Sequence, residues 1–105
     1  MNSAALTELS SRLAALSHPA RLEILSVLAA NDRCCCKDVV GRLPLAQSTV
    51  SQHLKVLVDA GLVRLTPNGQ RSLYAVDRAA LQELSHSLGD LLRNCCTGPA
   101  EPCEF

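Results

Sequence analysis

The chain has 105 residues, enough for one compact domain and too few for two. Hydrophobic residues make up 48% and aromatic residues only 2%, so the core must be aliphatic, and so small a domain would gain from dimerisation. A net charge of zero argues against a protein that coats nucleic acid non-specifically. The sequence shows no signal peptide and no apolar run of membrane-spanning length, so we expect a cytoplasmic protein with no membrane partner.

The charge is distributed unevenly along the chain. Between positions 39 and 76 four basic residues stand against one acid, Asp59, whereas the remaining segments carry an excess of acids. An asymmetry of this kind is typical of a protein with one face directed at nucleic acid.

The first part of the chain predicts four helices. Leucines at every third or fourth position predict a helix over 4–16, and Pro19 suits the first position of the next. A short third helix ends before Pro44. The fourth spans 46–60 and is closed by Gly61 as a C-terminal cap.

The pattern then changes to β-prone runs at 62–66 and 71–76. The Asn68-Gly69 dipeptide between them predicts a hairpin, because both residues tolerate positive φ. Asp77 caps a last leucine-rich helix. The predicted fold is mainly α with a small β-hairpin, in the order α-α-α-α-β-β-α. We expect a DNA-binding and dimerisation domain over 1–94 and a cysteine-containing tail over 95–105.

The segment 38–64 predicts a helix-turn-helix whose second helix enters the major groove of double-stranded operator DNA. Glutamine pairs bidentately with adenine, and serine and threonine reach bases or phosphates. The predicted contacts on this helix are Gln47, Ser48, Thr49, Ser51, Gln52 and Lys55, with His53 at its flank. The hairpin would be a wing along the phosphate backbone, with Arg64 and Arg71 near its tip.

Three motifs in register resemble the ArsR/SmtB family of metal-sensing repressors: LSHPARLEIL at 16–25, QSTVSQHLKVL at 47–57 and AGLV at 60–63. The likeness extends over about 6–92. It implies a homodimeric winged helix-turn-helix whose first and last helices form the dimer interface. Ala46 departs from the serine that often caps the recognition helix in the family.

Six cysteines form two clusters, at 34–36 and at 95–103. A cytosolic chain keeps its thiols reduced, so clustered cysteines indicate metal or metalloid binding, or redox chemistry. One family site has the pattern Cys-x-Cys-Asp at the third helix, often with another Cys two residues after the Asp. Aligned on Asp38, only Cys35 matches it, because Lys37 and Val40 stand at the other ligand positions. We therefore expect 34–36 to be solvent-exposed thiols without a dedicated ligand role, although a ligand lent across the dimer stays open.

Two further site patterns fit less well. A family zinc site on the last helix would have only Asp77, His86 and Asp90 here, at unsuitable spacing, so His86 is interpreted as an ordinary polar residue. Cys36 and Arg42 have the Cys-x5-Arg spacing of oxyanion loops in phosphatase-like enzymes and some arsenate reductases. Such a loop needs a preceding strand, whereas a helix is predicted there, so we expect no enzyme.

Cys95, Cys96 and Cys103 are the predicted sensor site. Gly98-Pro99 and Pro102 can turn the chain so that the third thiol approaches the other two. Trivalent arsenic or antimony binds three sulfurs in a pyramid, whereas zinc normally takes four ligands. We expect arsenite or antimonite to be the inducer that releases DNA. The alternatives are another thiophilic metal (Cd, Pb, Zn or Hg) or the redox state.

Overall fold

The computed structural model describes residues 2–31 and 33–97. Within these ranges, five helices and one antiparallel hairpin follow in the predicted order: α1 Ser3–Leu16, α2 Pro19–Ala29, α3 Cys36–Val40, α4 Gln47–Asp59, β1 Val63–Asn68, β2 Arg71–Val76 and α5 Arg78–Cys96. The predicted fold class, a winged helix-turn-helix, is confirmed.

Local capping sets where most helices begin. Asn2 and Asp77 accept hydrogen bonds from the backbone N–H groups of Ala5 and Ala80, at the starts of α1 and α5. Pro19 lies in the first turn of α2, as predicted. Ala46 makes no side-chain cap at the start of α4.

The end of α4 aims the chain into the hairpin. Gly61 has φ +78°, a left-handed conformation that costs glycine little. Its N–H donates to the carbonyl of Val58 at 2.9 Å, and the N–H of Leu62 donates to that of Leu57 at 3.0 Å. This pair of bonds is a Schellman motif, and it confirms Gly61 as the residue that terminates α4.

The hairpin is confirmed, but its turn is shifted by one residue from the predicted Asn-Gly pair. Asn68 is the last residue of β1 and pairs with Arg71, which leaves Gly69 and Gln70 at the centre of the turn. Gly69 has φ +65°, and no other residue of the described turn has positive φ. The positive φ that was predicted for both Asn68 and Gly69 is therefore found at Gly69 alone.

The core is aliphatic, as the composition predicts. Side chains from α2, α3, α4 and the start of the hairpin are fully buried in it: Ile24, Leu28, Val39, Val50, Leu54, Leu57 and Leu62. This packing fixes the angle of α4 relative to α2 and α3. None of the helices described is both long enough and apolar enough to cross a membrane.

Candidate nucleic-acid interface and thiol sites

The α3–turn–α4 unit presents a polar helix face to solvent. Val50, Leu54 and Leu57 turn the apolar side of α4 into the core. The opposite side carries exposed side chains at helical spacing, with Thr49 half-buried at its edge: Gln47, Ser48, Ser51, Gln52 and Lys55. Lys55 forms an exposed ion pair with Asp59 at 3.7 Å. Hydrogen-bonding side chains of these types, projecting together from one helix, suit the reading of base edges.

His53 lies at the flank of this face and is directed inward. It is half-buried, its Nδ1 is 3.3 Å from Nη1 of Arg21, and its ring centroid is 4.6 Å from that of His18. Burial, then the charges of His18 and Arg21, lower the pKa of His53. The sequence pattern placed His53 beside the polar face but gave no signal of these contacts, since they join residues 32 or more positions apart.

The two arginines of the hairpin lie at opposite ends of it. Arg71 is exposed at the tip, opposite Asn68, as predicted. Arg64 is opposite Ala75 near the base, so its predicted place at the tip is wrong. Its Nε donates to Oδ2 of Asp77 at 3.1 Å. The register explains the difference, because β1 continues to Asn68 and moves the tip four residues beyond Arg64.

The prediction that 34–36 form a solvent-exposed thiol cluster is wrong for two of the three residues. Cys34 is 3% exposed and forms a β-bridge to Tyr74, with backbone N–H···O distances of 3.0 and 2.7 Å. Burial raises the pKa of its thiol. Cys35 is also buried; its N–H and its thiol both donate to Oδ2 of Asp38, at 3.1 and 3.3 Å. These bonds lower the pKa of Asp38 and cap α3.

Cys36 is half-buried and contacts the start of α4. Its Sγ is 3.9 Å from the carbonyl oxygen of Gln47 and 3.6 Å from Oγ of Ser51. It opens on a cavity of about 450 Å³ that is also lined by Lys37, Arg71 and Tyr74. The residues that follow Cys36 continue in α3. They do not form the loop that would surround an oxyanion, which removes the structural basis for an enzyme of the Cys-x5-Arg type.

The predicted sensor cysteines lie at the far end of the molecule. Cys95 and Cys96 are the last two residues of α5, and both are exposed free thiols. Cys103 lies outside the described residues, so its relation to them stays a prediction. Over 2–31 and 33–97, no three His, Cys, Asp or Glu side chains are grouped closely enough to hold a metal ion.

Helices α1 and α5 pack against each other within one chain and leave leucines outside. Leu9 and Leu84 are buried, and Arg12 bridges the two helices through Glu83 at 3.2 Å. Leu6 on α1 is 43% exposed and Leu92 on α5 is 53% exposed. The leucine stripes are therefore only partly covered within one chain.

Comparison with known proteins agrees with this architecture. Residues 18–64 match the family described as "Bacterial regulatory protein, arsR family". The "Arsenical resistance operon repressor" of Staphylococcus xylosus is 38% identical over 81 residues, which cover 77% of each chain. The solved "ArsR-like Transcriptional Regulator from Rhodococcus sp. RHA1" superposes with a TM-score of 0.76 at 29% identity, over 85% of this chain and 83% of that one.

A second solved structure supports the fold alone, because its identity to this chain is only 23%. It is the NMR structure of a homodimeric winged helix-turn-helix domain from Mycobacterium bovis, with a TM-score of 0.68 over 98% of this chain and 91% of that one. The family match, the identity to the staphylococcal repressor and the shared fold agree. The chain belongs to the arsR family of bacterial regulatory proteins and is a winged helix-turn-helix transcriptional repressor, not an enzyme.

Proposed function

We propose that this repressor binds operator DNA as a homodimer and releases it when arsenite or antimonite binds the thiolates of Cys95, Cys96 and Cys103. The observation that carries the proposal is the pair of adjacent, exposed free thiols at the end of α5 in a chain 38% identical to an arsenical resistance operon repressor. Such a protein acts in the cytoplasm, where thiols stay reduced.

The DNA-binding part of the proposal rests on α4 and the hairpin. Gln47, Ser48, Thr49, Ser51 and Gln52 would read base edges in the major groove. Lys55 and Arg71 would contact phosphates, since both are exposed cations: Lys55 lies on the polar face itself, and Arg71 lines the same cavity as Gln47 of that face. Arg64, at the base of the hairpin and paired with Asp77, would contact phosphate only at the edge of the interface. His53 would act by holding α4 in place.

The homodimer is supported by the exposed leucines and by the assembly of a structural neighbour. Leu6 and Leu92 are large apolar side chains on the two helices that the family resemblance assigns to the interface. The M. bovis domain, which shares this fold, is homodimeric. A second copy of the chain would cover these leucines and place two recognition helices on successive half-sites of an inverted repeat.

The sensor part of the proposal follows from ligand chemistry and position. Thiolates are soft ligands that suit trivalent arsenic and antimony. Because Cys95 and Cys96 end the helix proposed for dimerisation, joining them to Cys103 would link the following residues to the end of α5. A coupling free energy of about 1–3 kcal/mol is typical of allosteric linkage and would weaken DNA binding roughly 5- to 150-fold.

The proposal is tested by titrating the reduced full-length protein, bound to its own promoter DNA, with arsenite, antimonite, cadmium and zinc. Fluorescence anisotropy of labelled DNA reports release. We expect arsenite and antimonite to release the DNA and zinc to release much less. Release by cadmium alone would support the alternative of another thiophilic metal, and release by peroxide alone would support a redox sensor.

A further inference from the structure

Arg21 of α2 contacts both α1 and α4. Its Nε donates to the carbonyl oxygen of Ala15 at 2.6 Å, and its Nη2 donates to that of Ala14 at 3.4 Å. Carbonyls in the last turn of a helix carry partial negative charge, so a cation suits them. The third guanidinium nitrogen, Nη1, is 3.3 Å from Nδ1 of His53. One side chain therefore joins the end of α1 to the proposed recognition helix.

The contact between Arg21 and His53 requires a neutral imidazole. A guanidinium has only donors, so Nδ1 of His53 must accept and its proton must reside on Nε2. Protonation would convert Nδ1 into a second donor and would place a positive charge 3.3 Å from a guanidinium nitrogen. The bond would be lost and replaced by repulsion.

The other groups around His53 also disfavour protonation of its ring. The ring of His18 contacts it at a centroid distance of 4.6 Å, and Nδ1 of His18 accepts the N–H of Ala20 that begins α2. Among the described residues, the titratable or charged groups that face His53 are thus His18, the N-cap of α2, and Arg21 of α2. From α1 come the carbonyls that Arg21 holds. On α4 itself, Lys55 and Asp59 pair with each other in solvent.

We propose that Arg21 is a positioning residue for α4, and that protonation of His53 breaks this connection and weakens DNA binding as the solution is acidified. The inference rests on the proposed DNA-binding function. It makes pH a second signal that acts on the recognition helix, separate from the thiols at the end of α5.

The size of the effect is bounded. Burial, His18 and Arg21 hold the pKa of His53 below the ordinary histidine value of about 6.5. If the DNA complex requires neutral His53, this one group can weaken binding at pH 5.5 by at most about tenfold. The stability of the fold changes in the same direction. It is unaffected by His53 above about pH 6.5 and falls at lower pH, because the unfolded chain binds the proton more readily.

The test measures the affinity of the full-length protein for its promoter DNA between pH 8 and 5.5 at constant ionic strength. The variants are His53→Gln, whose amide oxygen can still accept from Arg21 without titrating, and Arg21→Gln, which removes the charge. His86→Gln, on the exposed surface of α5, is the matched control. We expect wild type and His86→Gln to lose up to about tenfold more affinity than His53→Gln on acidification. Arg21→Gln should bind more weakly at pH 8 and depend less on pH.

An equal loss of affinity in wild type and His53→Gln would overturn the proposal. A readout without DNA is the titration of the His53 ring protons by NMR. We expect its midpoint to rise in Arg21→Gln, and an unchanged midpoint would also overturn the proposal. Failure of the wild type to bind promoter DNA at any pH would instead count against the proposed function. If Arg21→Gln does not fold, the comparison of His53→Gln with His86→Gln still decides.

Discussion

Arg64 Nε donates a hydrogen bond to Oδ2 of Asp77 at 3.1 Å, and the other oxygen of the same carboxylate accepts the N–H of Ala80 in the first turn of α5. One carboxylate thus joins the base of the hairpin to the first turn of the last helix. The base of the hairpin and the start of α5 are thus tied to the same side chain.

Asp77 should contribute to stability at neutral pH and lose that contribution in acid. The Ala80 N–H and the Arg64 guanidinium lower the pKa of Asp77 below its ordinary value, so the carboxylate stabilises the fold above about pH 3.9. The contribution disappears as pH falls through the lower folded-state pKa. Asp77→Asn should therefore be less stable than wild type at pH 7, and the difference should shrink as the pH falls below about 3.9.

Thermal and urea unfolding measure this difference, with Glu23→Gln, an exposed acid on α2, as the control. Asn keeps an oxygen for the helix cap, so the comparison removes the charge together with the acceptor for Arg64 while keeping the bond to Ala80. A difference between Asp77→Asn and wild type that stays constant from pH 7 to 3 would exclude this role for the carboxylate.

Lys55 and Arg71 should matter for affinity more than for sequence choice. As phosphate contacts, each should reduce the slope of log K against log salt concentration by about one unit when changed to alanine. Arg93→Gln, at the far end of α5, should leave the slope unchanged. If Lys55→Ala keeps wild-type affinity and the full salt slope, the proposed docking of α4 is wrong.

Gln52 should instead affect base preference. Its exposed side chain lies on the polar face of α4, and loss of a bidentate contact costs about 1–3 kcal/mol of discrimination against the wrong base. Gln52→Ala should relax preference at particular positions of the operator while keeping the salt slope. Binding to a panel of operator variants measures this, and an unaltered preference would place Gln52 outside the groove.

Much of the fold was predictable because its signals are local. Pro19, Gly61 and Asp77 mark helix ends through their own backbone preferences or side-chain bonds, and the structure agrees at each. The contacts that the sequence did not reveal join distant positions: the bridge from Cys34 to Tyr74, which buries a cysteine predicted to be exposed, and the connection from Arg21 to His53. The family resemblance indicated a dimer but not which leucines one chain already covers.

A test of the proposed dimer interface must substitute leucines that are exposed in the single chain. Leu9→Glu with Leu84→Glu would bury unpaired carboxylates inside each chain, so we expect that variant to unfold. Leu6→Glu with Leu92→Glu should remain folded but become monomeric and lose binding to an operator with two half-sites. Leu65→Glu, on the exposed surface of the hairpin, is the control for assembly alone, because a carboxylate on the proposed wing would itself repel phosphates. Sedimentation measures the oligomeric state. A stable dimer of the variant with Leu6→Glu and Leu92→Glu would refute this interface.

The two thiol clusters should differ in coordination when arsenite is bound. X-ray absorption at the arsenic edge should show three sulfurs in the wild type and two in Cys95→Ser, because a serine hydroxyl stays protonated and is a hard ligand. Cys36→Ser should retain three sulfurs. At Cys34 a serine would bury a hydroxyl group and destabilise the fold, so Cys34→Ala is the better variant there. Three sulfurs in Cys95→Ser would place the arsenic elsewhere.

Release of promoter DNA by a chain truncated after Asn94 tests most directly whether arsenite acts through Cys95, Cys96 and Cys103. The truncation keeps the hairpin, α4 and all but the last two residues of α5. We expect the truncated chain to bind DNA like the wild type and to stay bound at arsenite concentrations that release the wild type and Cys36→Ser. A truncated chain that still leaves its DNA when arsenite is added would contradict the account and move the sensor to Cys34, Cys35 and Cys36.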